Sequence, residues 1–473
     1  MSRKNSWEAY TSKDLKALEQ LCAGYREFLD NGKTERECVN TIVDDLEANG
    51  YRELDKLVKA GTQLKAGDKV YAVWMNKTVV IFNIGKRDIT EGINILGAHI
   101  DSPRLDAKQN PVYEDEFHSF TLLDTHYYGG VKKYQWVTIP LALHGVVVKK
   151  DGTTIELNVG EDEDDPVFFI SDLLIHLSQD QLEKKAAKVI EGEALDVIIG
   201  SKPFIFDKKA TEDDKSKAKN ILKKGILDIL KKEYDIEEDD FVSAELEVVP
   251  AGKSREAGFD RSMILGYGQD DRVCAYPSYK ALINTQDVDR TACCILVDKE
   301  EIGSVGATGM QSRFFENSVA EVLNLMGVSG DLALRRTLSK SAMLSSDVSS
   351  AFDPTYWDSF DRKNVAYLGE GMVINKFTGS RGKSGSNDAN AEYLGHLRKI
   401  FDDNKVNFQT AELGKVDLGG GGTIAYILAL YGMNVIDSGV PVLSMHAPWE
   451  ATSKADIYEA YKAYVAFIKG ATI

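Results

Sequence analysis

Residues 291–304 read TACCILVDKEEIGS, and this stretch decides how the chain is organised. Residues 291–297 form an apolar run that predicts a buried strand, and Gly303 closes the acidic loop that follows it. Ligands bind at the carboxyl ends of strands in an open α/β sheet, so Glu300 and Glu301 stand where a site would lie. Neighbouring side chains on an extended chain point apart, which lets one glutamate hold a metal while the other faces a substrate. The competing interpretation is a solvated acidic turn, the commoner setting for an isolated Glu-Glu pair.

The composition predicts a globular protein with more than one domain. The 473 residues are 43% hydrophobic and 28% charged. The formal net charge of -17 argues against general affinity for nucleic acids or for an anionic membrane surface. No apolar run is long enough to span a membrane, and the first residues lack the apolar core of a secretory signal.

The cysteines predict a reduced compartment. Their number is odd and their spacing does not match a zinc finger, and two of them lie inside the apolar run at 291–297. We therefore expect a cytoplasmic protein with free cysteines, some of them small buried residues. The cysteines are Cys22, Cys38, Cys274, Cys293 and Cys294.

A second chemical motif follows another apolar strand, residues 93–98. Residues two apart on a strand share a face, so His99 and Asp101 are expected to point the same way. A metal-binding histidine is usually oriented by a carboxylate or carbonyl on its other ring nitrogen. The pair therefore predicts a metal ligand, His99, with Asp101 as its orienting partner, although a lone His-x-Asp is more often structural.

The pattern of predicted helices, strands and hairpins indicates an α/β protein with two domains. Strands and helices alternate in residues 1–105 and 251–473, whereas hairpin signals such as Asp151-Gly152 dominate residues 106–250. We interpret residues 106–250 as a β-rich domain inserted into an α/β domain. The predicted helices span residues 11–31, 34–50, 210–234, 312–326, 387–402, 423–430 and 454–469, and a helix-like segment after Arg272 continues through Cys274, Leu282 and Ile283. The predicted strands include 71–75, 78–82, 93–98, 241–249, 263–267, 291–297, 341–347, 406–411 and 442–445.

Five segments share one pattern, in which a short apolar strand or its following loop delivers a potential metal ligand. Two histidines and three carboxylates suit a pair of zinc-like ions, with one carboxylate bridging them. This count leaves Glu300 unbound and able to act as a general base toward water. The residues delivered are His99, Asp270 with Asp271, Glu300 with Glu301, Asp347 and His446.

The same stretches resemble the aspartyl aminopeptidase and vacuolar aminopeptidase I family of dinuclear zinc metallopeptidases. The resemblance covers essentially the whole chain. It implies the zinc-exopeptidase fold, a mixed central sheet flanked by helices, with the insert acting as a dimerisation domain. The stretches that carry it are GAHIDSP at 97–103, DDR at 270–272, DKEEIGS at 298–304, SSD at 345–347 and SMH at 444–446.

The resemblance also implies a role for each residue of the site. One metal would be held by His99 and Asp347, and the other by Glu301 and His446. Asp270 would bridge them in preference to Asp271, because the bridging aspartate of the family is followed by Asn or Asp. The remaining implied roles are general base for Glu300 and orientation of His99 for Asp101.

Further residues acquire expected roles through the family. In it the inserted domain mediates dimerisation within a tetrahedral dodecamer, and a histidine in a segment resembling that of His176 reaches a neighbouring active site. The Gly-rich loop containing Gly421 and Gly422 lies beside the substrate. Asn375 replaces a lysine that binds acidic substrates in animal members, so Lys376 or Arg381 is expected to substitute, or the acidic preference is absent.

The expected activity is hydrolysis of the N-terminal residue, acidic or neutral, from peptides. Two zinc ions per subunit are the default cofactors, with cobalt or manganese as alternatives. One rival is a carboxypeptidase or deacylase on the same fold, and another is a catalytically inert assembly protein. A nucleotide-binding enzyme is disfavoured because residues 419–422 lack both G-x-G-x-x-G and a following Gly-Lys-Ser/Thr.

Overall fold

The computed structural model describes residues 5–206 and 219–472, which form two compact units. The first unit comprises the described residues up to Ser102, then Ser254–Met445 and the residues from Trp449 onward. The second comprises the described part of Pro103–Lys253 together with His446–Pro448. None of the described helices is long and apolar enough to cross a membrane.

The described strands are short and occur throughout the chain. They are β1 Arg52–Glu53, β2 Lys69–Trp74, β3 Thr78–Asn83, β4 Asn94–His99, β5 Arg104–Glu114, β6 Thr121–Tyr128, β7 Leu141–Val148, β8 Thr154–Val159, β9 Val197–Gly200, β10 Ala244–Pro250, β11 Arg255–Ala257, β12 Met263–Gly266, β13 Ala292–Val297, β14 Ala342–Ser346, β15 Ser349–Ser350, β16 Met372–Asn375, β17 Phe408–Thr410, β18 Asn434–Gly439, β19 Pro441–Leu443 and β20 Glu450–Ser453.

The described α-helices lie mostly in the first unit. They are α1 Ser12–Asn31, α2 Glu35–Ala48, α3 Leu54–Ala60, α4 Gln179–Leu182, α5 Ala186–Val189, α6 Ile221–Tyr234, α7 Gln269–Asn284, α8 Phe314–Leu325, α9 Asp331–Ser339, α10 Ala391–Asp403, α11 Ala425–Ala429 and α12 Lys454–Gly470.

A nine-stranded mixed sheet forms the centre of the first unit, in the order β1-β2-β3-β13-β4-β14-β18-β16-β17. Its central strands β13, β4, β14 and β18 run parallel to one another, whereas β3 and β16 run antiparallel to their inner neighbours. A five-stranded sheet in the same unit has the order β11-β12-β20-β19-β15. The α/β class and the mixed sheet predicted from the sequence are confirmed.

Alternating side chains of the central strands supply two apolar cores, one on each face of the nine-stranded sheet. Leu344 packs with α1, α7 and α12 on one face, and Met343 packs with α8 and α11 on the other. Because both faces are covered, the strands read as continuous apolar runs rather than as alternating ones. This explains why the apolar run at 291–297 marks the middle of the sheet.

Capping residues set the start of the first two helices. Thr11 and Asp14 form a reciprocal capping box before α1, and Thr34 with Glu37 forms another before α2. Each box satisfies two backbone groups that a helix N-terminus leaves open. The predicted capping box at Thr34 and the amphipathic helix at 11–31 are confirmed.

The second unit contains a six-stranded antiparallel sheet in the order β8-β7-β10-β5-β6-β9. The hairpin of β7 and β8 pairs Val148 with Thr154, as the Asp151-Gly152 signal predicts. A 3-10 turn, Ile175–Leu177, and the short helices α4 and α5 precede β9.

The structure differs from the sequence prediction in several elements. The predicted strand at 241–249 begins later, because residues Glu238–Ser243 form a 3-10 turn capped by Glu237 and Asp240. The predicted helix at 210–234 is observed from Ile221; residues 210–218 lie outside the described residues, and residues 219 and 220 are not helical. The strand predicted to end at His446 stops at Leu443 instead. The sequence prediction omitted α3, α9, β16 and β18.

Candidate metal centre

Three adjacent parallel strands end together at one edge of the nine-stranded sheet. β13, β4 and β14 are neighbours, with Val297 opposite His99. His99 is the last residue of β4, Asp347 follows β14, and the 3-10 turn Glu300–Ile302 follows β13. Because parallel strands point the same way, the residues after their carboxyl ends converge.

The imidazole of His99 faces three carboxylates. Its Nε2 lies 3.2 Å from Asp270 Oδ1, 3.9 Å from Glu300 Oε2 and 3.9 Å from Asp347 Oδ1. The potential ligand atoms form three sets, and within each set all atoms lie within 4.8 Å of one another. The sets are His99 with Glu300 and Asp347, His99 with Asp270 and Glu301, and Asp270 with Asp271 and Asp347.

Asp270 and Asp271 enter this centre from the start of α7. Gly268, with φ +72°, precedes the helix, and the peptide bond between the two aspartates is cis. Asp271 is fully buried, and its Oδ2 accepts a hydrogen bond from the backbone N–H of His99 at 3.4 Å. The backbone N–H of Asp270 donates to Glu450 Oε2 at 3.2 Å. Both aspartates therefore remain within reach of the centre, and the preference for Asp270 stays a prediction.

Asp101 contacts both parts of the site. Its Oδ1 lies 3.3 Å from His99 Nδ1, and its backbone oxygen lies 3.0 Å from the same nitrogen. The two carboxylate oxygens also accept the backbone N–H groups of Glu300, at 3.1 Å, and Glu301, at 3.2 Å. Asp101 thus contacts the histidine through its backbone oxygen and its carboxylate, and the carboxylate also holds the turn that carries both glutamates. The predicted role of Asp101 in orienting His99 stays a prediction.

The turn itself depends on left-handed backbone on both sides. Lys299 before it has φ +69°, and Gly303 after it has φ +97°. This sharp turn brings two consecutive glutamates to the same centre, although an extended chain would separate them. Glu300 therefore groups with one ligand set and Glu301 with another.

Burial and like charge shift the titration of this cluster. Burial raises the pKa of Asp347, and the carboxylates of Glu300 and Asp270 raise it further. Burial acts to lower the pKa of His99, but its contacts with Asp101 and Asp270 outweigh burial and raise the pKa well above the ordinary value. So many acidic groups around one imidazole favour a bound cation.

His446 and His176 both belong to the second unit. Among the described residues, the three ligand sets above do not include His446. Its backbone has φ +65°, and its Nδ1 lies 3.0 Å from the carbonyl oxygen of Gly130. His176 lies in an exposed 3-10 turn. The metal role of His446 and the substrate role of His176 stay predictions.

Lys376 and Arg381 lie on the exposed segment after β16. Both side chains are exposed, and neither makes an ion pair with another of the described residues. The structure does not test whether either cation contacts a substrate, so both assignments stay predictions.

The Gly-rich loop, residues 419–422, has two kinds of glycine. A Cβ on Gly419 would lie 1.6 Å from the carbonyl oxygen of Leu413, and one on Gly420 would lie 2.4 Å from Ser380 Cα. A Cβ on Gly422 would have no atom within 4 Å, and one on Gly421 would make only an ordinary contact of 3.4 Å. The first pair is needed for packing, whereas the second pair leaves an open backbone edge.

Asp437 is a buried acid that the sequence prediction missed. Asp437 lies in the middle of β18, where its Oδ1 accepts a hydrogen bond of 2.5 Å from Thr423 Oγ1. Burial raises the pKa of Asp437 to about 7. An aspartate inside the run NVIDSG at 434–439 was the available signal, because a buried strand rarely contains an acid.

The donor set fits zinc. Zinc takes imidazole nitrogen and carboxylate oxygen, and catalytic zinc sites leave a position for water or substrate. His99 Nε2 and the carboxylate oxygens around it offer these atoms, buried at the carboxyl edge of an α/β sheet. Such a set of donors at the edge of an α/β sheet is the arrangement expected of a metal-dependent hydrolase.

Comparison with known proteins gives the family. The family described as Aminopeptidase I zinc metalloprotease (M18) matches residues 28–468. A probable M18 family aminopeptidase 1 from Clostridium acetobutylicum is 58% identical over 465 residues, covering 98% of both chains. The chain belongs to the M18 family, which confirms the resemblance described from the sequence, and it is an aminopeptidase and metalloprotease.

Solved structures agree with this assignment. The crystal structure of an M18 aminopeptidase from Thermotoga maritima superimposes with a TM-score of 0.92 at 41% identity, covering 100% of both chains. The structure described as the S. cerevisiae mApe1 dodecamer has a TM-score of 0.72 at 18% identity, covering 94% of this chain and 95% of that one. At that identity the yeast structure shows the fold alone.

Proposed function

We propose that the chain is a dinuclear zinc aminopeptidase in which Glu300 is the general base. The observation that carries the proposal is the buried His99 Nε2, which faces Asp270, Glu300 and Asp347 within 3.9 Å. A cluster of this charge needs cations, and its nitrogen and oxygen donors suit zinc, with cobalt or manganese as alternatives.

The ligands divide between two ions. His99 and Asp347 would hold one, Glu301 and His446 the other, and Asp270 would bridge them. Bound zinc supplies Lewis-acid polarisation of the scissile carbonyl and lowers the pKa of water. Asp101 holds His99 and the Glu300 turn in place through its contacts of 3.0–3.3 Å.

Glu300 moves the proton in this proposal. Its carboxylate takes a proton from the attacking water and delivers it to the leaving amine. Its Oε2 lies 3.9 Å from His99 Nε2, and its side chain is 15% exposed, so it reaches the centre and remains open to a substrate. Glu301, with a buried Oε1, is the better ligand of the two.

The substrates are peptides with a free N-terminus. The open backbone edge of Gly421 and Gly422 would lie along the substrate. Lys376 and Arg381 are exposed cations, and either would select an acidic N-terminal side chain by binding it. If neither cation contacts the substrate, the enzyme would accept neutral N-terminal residues. His176 would reach a neighbouring subunit's site.

Self-assembly is part of the proposal. A relative of this fold is described as a dodecamer. In this chain the 3-10 turn around His176 exposes Leu174, Ile175 and Leu177 at 53%, 68% and 66%. An apolar cluster of this kind on a surface turn is typical of a protein contact. We therefore propose that the chain forms a homo-oligomer, a tetrahedral dodecamer in which the second unit is the dimerisation domain. The cytoplasmic location is proposed separately, from the few cysteines and their odd number.

Hydrolysis of paired substrates tests the function. The metal-free protein is reconstituted with zinc, cobalt or manganese and assayed on glutamyl, aspartyl, leucyl and alanyl amides, each free and N-acetylated. Cleavage of free amides alone supports an aminopeptidase, and zinc content of two per chain supports the dinuclear site. Preferential cleavage of the acetylated series would favour a deacylase or a carboxypeptidase, and no cleavage with full metal content would favour an inert assembly protein.

A further inference from the structure

We propose that Asp437 and Thr423 form a positioning pair that holds the Gly-rich loop, residues 419–422, at a fixed position relative to the metal centre. The inference rests on the proposed function, in which this loop lies along the peptide substrate. Neither residue is expected to touch the reacting atoms. Their action is to fix where the loop presents its backbone.

The pair is a direct, buried hydrogen bond. Asp437 is 2% exposed, and its Oδ1 lies 2.5 Å from Thr423 Oγ1, which donates to it. The same Thr423 oxygen accepts the backbone N–H of Ala425 at 3.3 Å, where α11 begins. Thr423 therefore ties the end of the loop both to the following helix and to the sheet. Breaking such a bond leaves a buried polar group without its partner, which costs free energy.

The other hydrogen bonds of the loop end on irregular segments. The backbone N–H of Gly419 donates to the carbonyl oxygen of Lys415 at 2.7 Å, and that of Gly421 donates to Thr378 at 3.0 Å. Lys415 and Thr378 both lie outside helices and strands. Asp437, in contrast, lies in a strand of the nine-stranded sheet. The sheet is the more rigid support, because loops are the mobile parts of a fold.

The strand that carries Asp437 also holds a proposed metal ligand. The backbone N–H of Asp347 donates to the carbonyl oxygen of Ser438 at 2.8 Å. A Cβ on Gly439 would lie 1.8 Å from the carbonyl oxygen of Asp347, so the two chains pack as closely as glycine allows. β18 thus contacts the metal centre through Ser438 and Gly439 and the Gly-rich loop through Asp437.

Fold stability gives no reason for an acid at this position. Burying a carboxylate without a cation costs free energy, and an apolar residue would suit a central strand better. Burial raises the pKa of Asp437, and its Oδ2 is buried without a hydrogen-bond partner among the described residues. Residues that are unfavourable for the fold are expected mainly at functional sites, so a buried acid at position 437 points to a role in the neighbouring site.

The Asp437–Thr423 hydrogen bond fixes the position of the neighbouring backbone at Gly421 and Gly422. Thr423 follows Gly422 directly; a Cβ on Gly422 would meet no atom within 4 Å, and one on Gly421 would make only an ordinary contact of 3.4 Å with Leu413. If the anchor at Thr423 is lost, this backbone edge moves relative to Asp347. Substrate binding should then weaken, whereas the metal ligands keep their positions.

The test removes the hydroxyl of Thr423 without changing its shape. Thr423→Val should raise KM for a free aminoacyl amide about tenfold, the order expected for one lost buried hydrogen bond to an acid, while kcat stays within about threefold. Thr423→Ser and Asp437→Asn keep a hydroxyl donor and an oxygen acceptor, so both should restore most of the KM. Thr337→Val is the matched control, because Thr337 is fully buried in α9 and its Oγ1 donates to Ala333 at 2.9 Å.

Two readouts separate this inference from the proposed function. If zinc-loaded parent protein cleaves no free amide, the proposed function fails, and hydrogen–deuterium exchange then tests the pair. Exchange of residues 419–424 should accelerate in Thr423→Val and remain parental in Thr337→Val. Parental KM and parental exchange in Thr423→Val would overturn the inference, as would equal effects of both valine variants. Loss of zinc from Thr423→Val would also overturn it, because the metal ligands would then depend on the pair.

Discussion

Asp101→Asn is the most informative perturbation of the residues that support the metal centre. The carboxylate now accepts two backbone N–H groups, of Glu300 at 3.1 Å and Glu301 at 3.2 Å, and lies 3.3 Å from His99 Nδ1. Asparagine keeps one oxygen and places an NH₂ group where the other oxygen was. One backbone N–H then loses its acceptor, which costs about 1–3 kcal/mol for a buried donor.

The effect on metal should exceed the effect on stability. Asp101→Asn keeps the backbone oxygen that lies 3.0 Å from His99 Nδ1, but it removes the negative charge beside that ring and one acceptor of the turn that carries both glutamates. Loss of such an outer partner of metal ligands typically weakens metal affinity by about 10–100-fold. We expect the zinc dissociation constant of Asp101→Asn to rise by that factor, measured by competition with a chromophoric chelator. Unfolding by denaturant of the metal-free protein gives the accompanying change in stability.

Asp456→Asn is the matched control for this experiment. Asp456 is also fully buried and also accepts two backbone N–H groups, from Gly369 at 2.8 Å and Gly371 at 2.7 Å. It is absent from the three ligand sets of the described residues. Asp456→Asn should therefore lose a similar amount of stability and keep parental zinc affinity. Equal zinc affinity in the two variants would refute the orienting role of Asp101.

Three further predictions concern protons and the Gly-rich loop. Burial, followed by the nearby carboxylates, raises the pKa of Asp347; zinc should therefore displace protons and bind more tightly as pH rises, as calorimetry in buffers of different ionisation enthalpy would show. Burial raises the pKa of Asp437 from 3.8 to about 7, so its contribution to stability is present below about pH 4 and lost as pH rises through 7, and Asp437→Asn should flatten this part of the unfolding curve. Gly419→Ala should destabilise the fold by about 1–3 kcal/mol by overpacking against Leu413, whereas Gly422→Ala should keep its denaturation midpoint and raise KM.

The convergence of ligands could be predicted because it follows from strand direction. Apolar runs before His99, Glu300 and Asp347 identify parallel strands, and the carboxyl ends of parallel strands meet at one edge. The periodicity of residues 11–31 and the capping box at Thr34 likewise act locally, so the sequence alone shows them.

Other parts of the fold depend on contacts that no local pattern records. β18 contains Asp437 and Ser438, whose polarity hides a strand that the sheet stabilises from both sides. The chain after Leu443 was expected to stay extended up to His446, yet Ser444 and His446 adopt left-handed backbone with φ +59° and +65°. Single residues in that conformation depend on tertiary contacts that propensity does not describe.

Residue type alone likewise does not distinguish Asp270 from Asp271 as the proposed bridging ligand. Both follow Gly268 in the sequence, and both have atoms within one ligand set. Only the backbone path places Asp271 Oδ2 under the N–H of His99. Which aspartate would bridge the two proposed ions therefore depends on local backbone geometry rather than on residue type.

Glu300→Gln separates the proposed roles of the two glutamates, with Glu300 as general base and Glu301 as metal ligand. Glutamine matches the shape of Glu300 but cannot take a proton from water. We expect the variant to retain two zinc ions per chain and parental KM, while kcat falls about 10²–10⁴-fold. Potential ligand atoms of Glu300, His99 and Asp347 lie within 4.8 Å of one another. Loss of a zinc ion from Glu300→Gln would therefore identify Glu300 as a metal ligand instead of the general base. A zinc-replete Glu300→Gln enzyme with kcat within tenfold of the parent would contradict the claim.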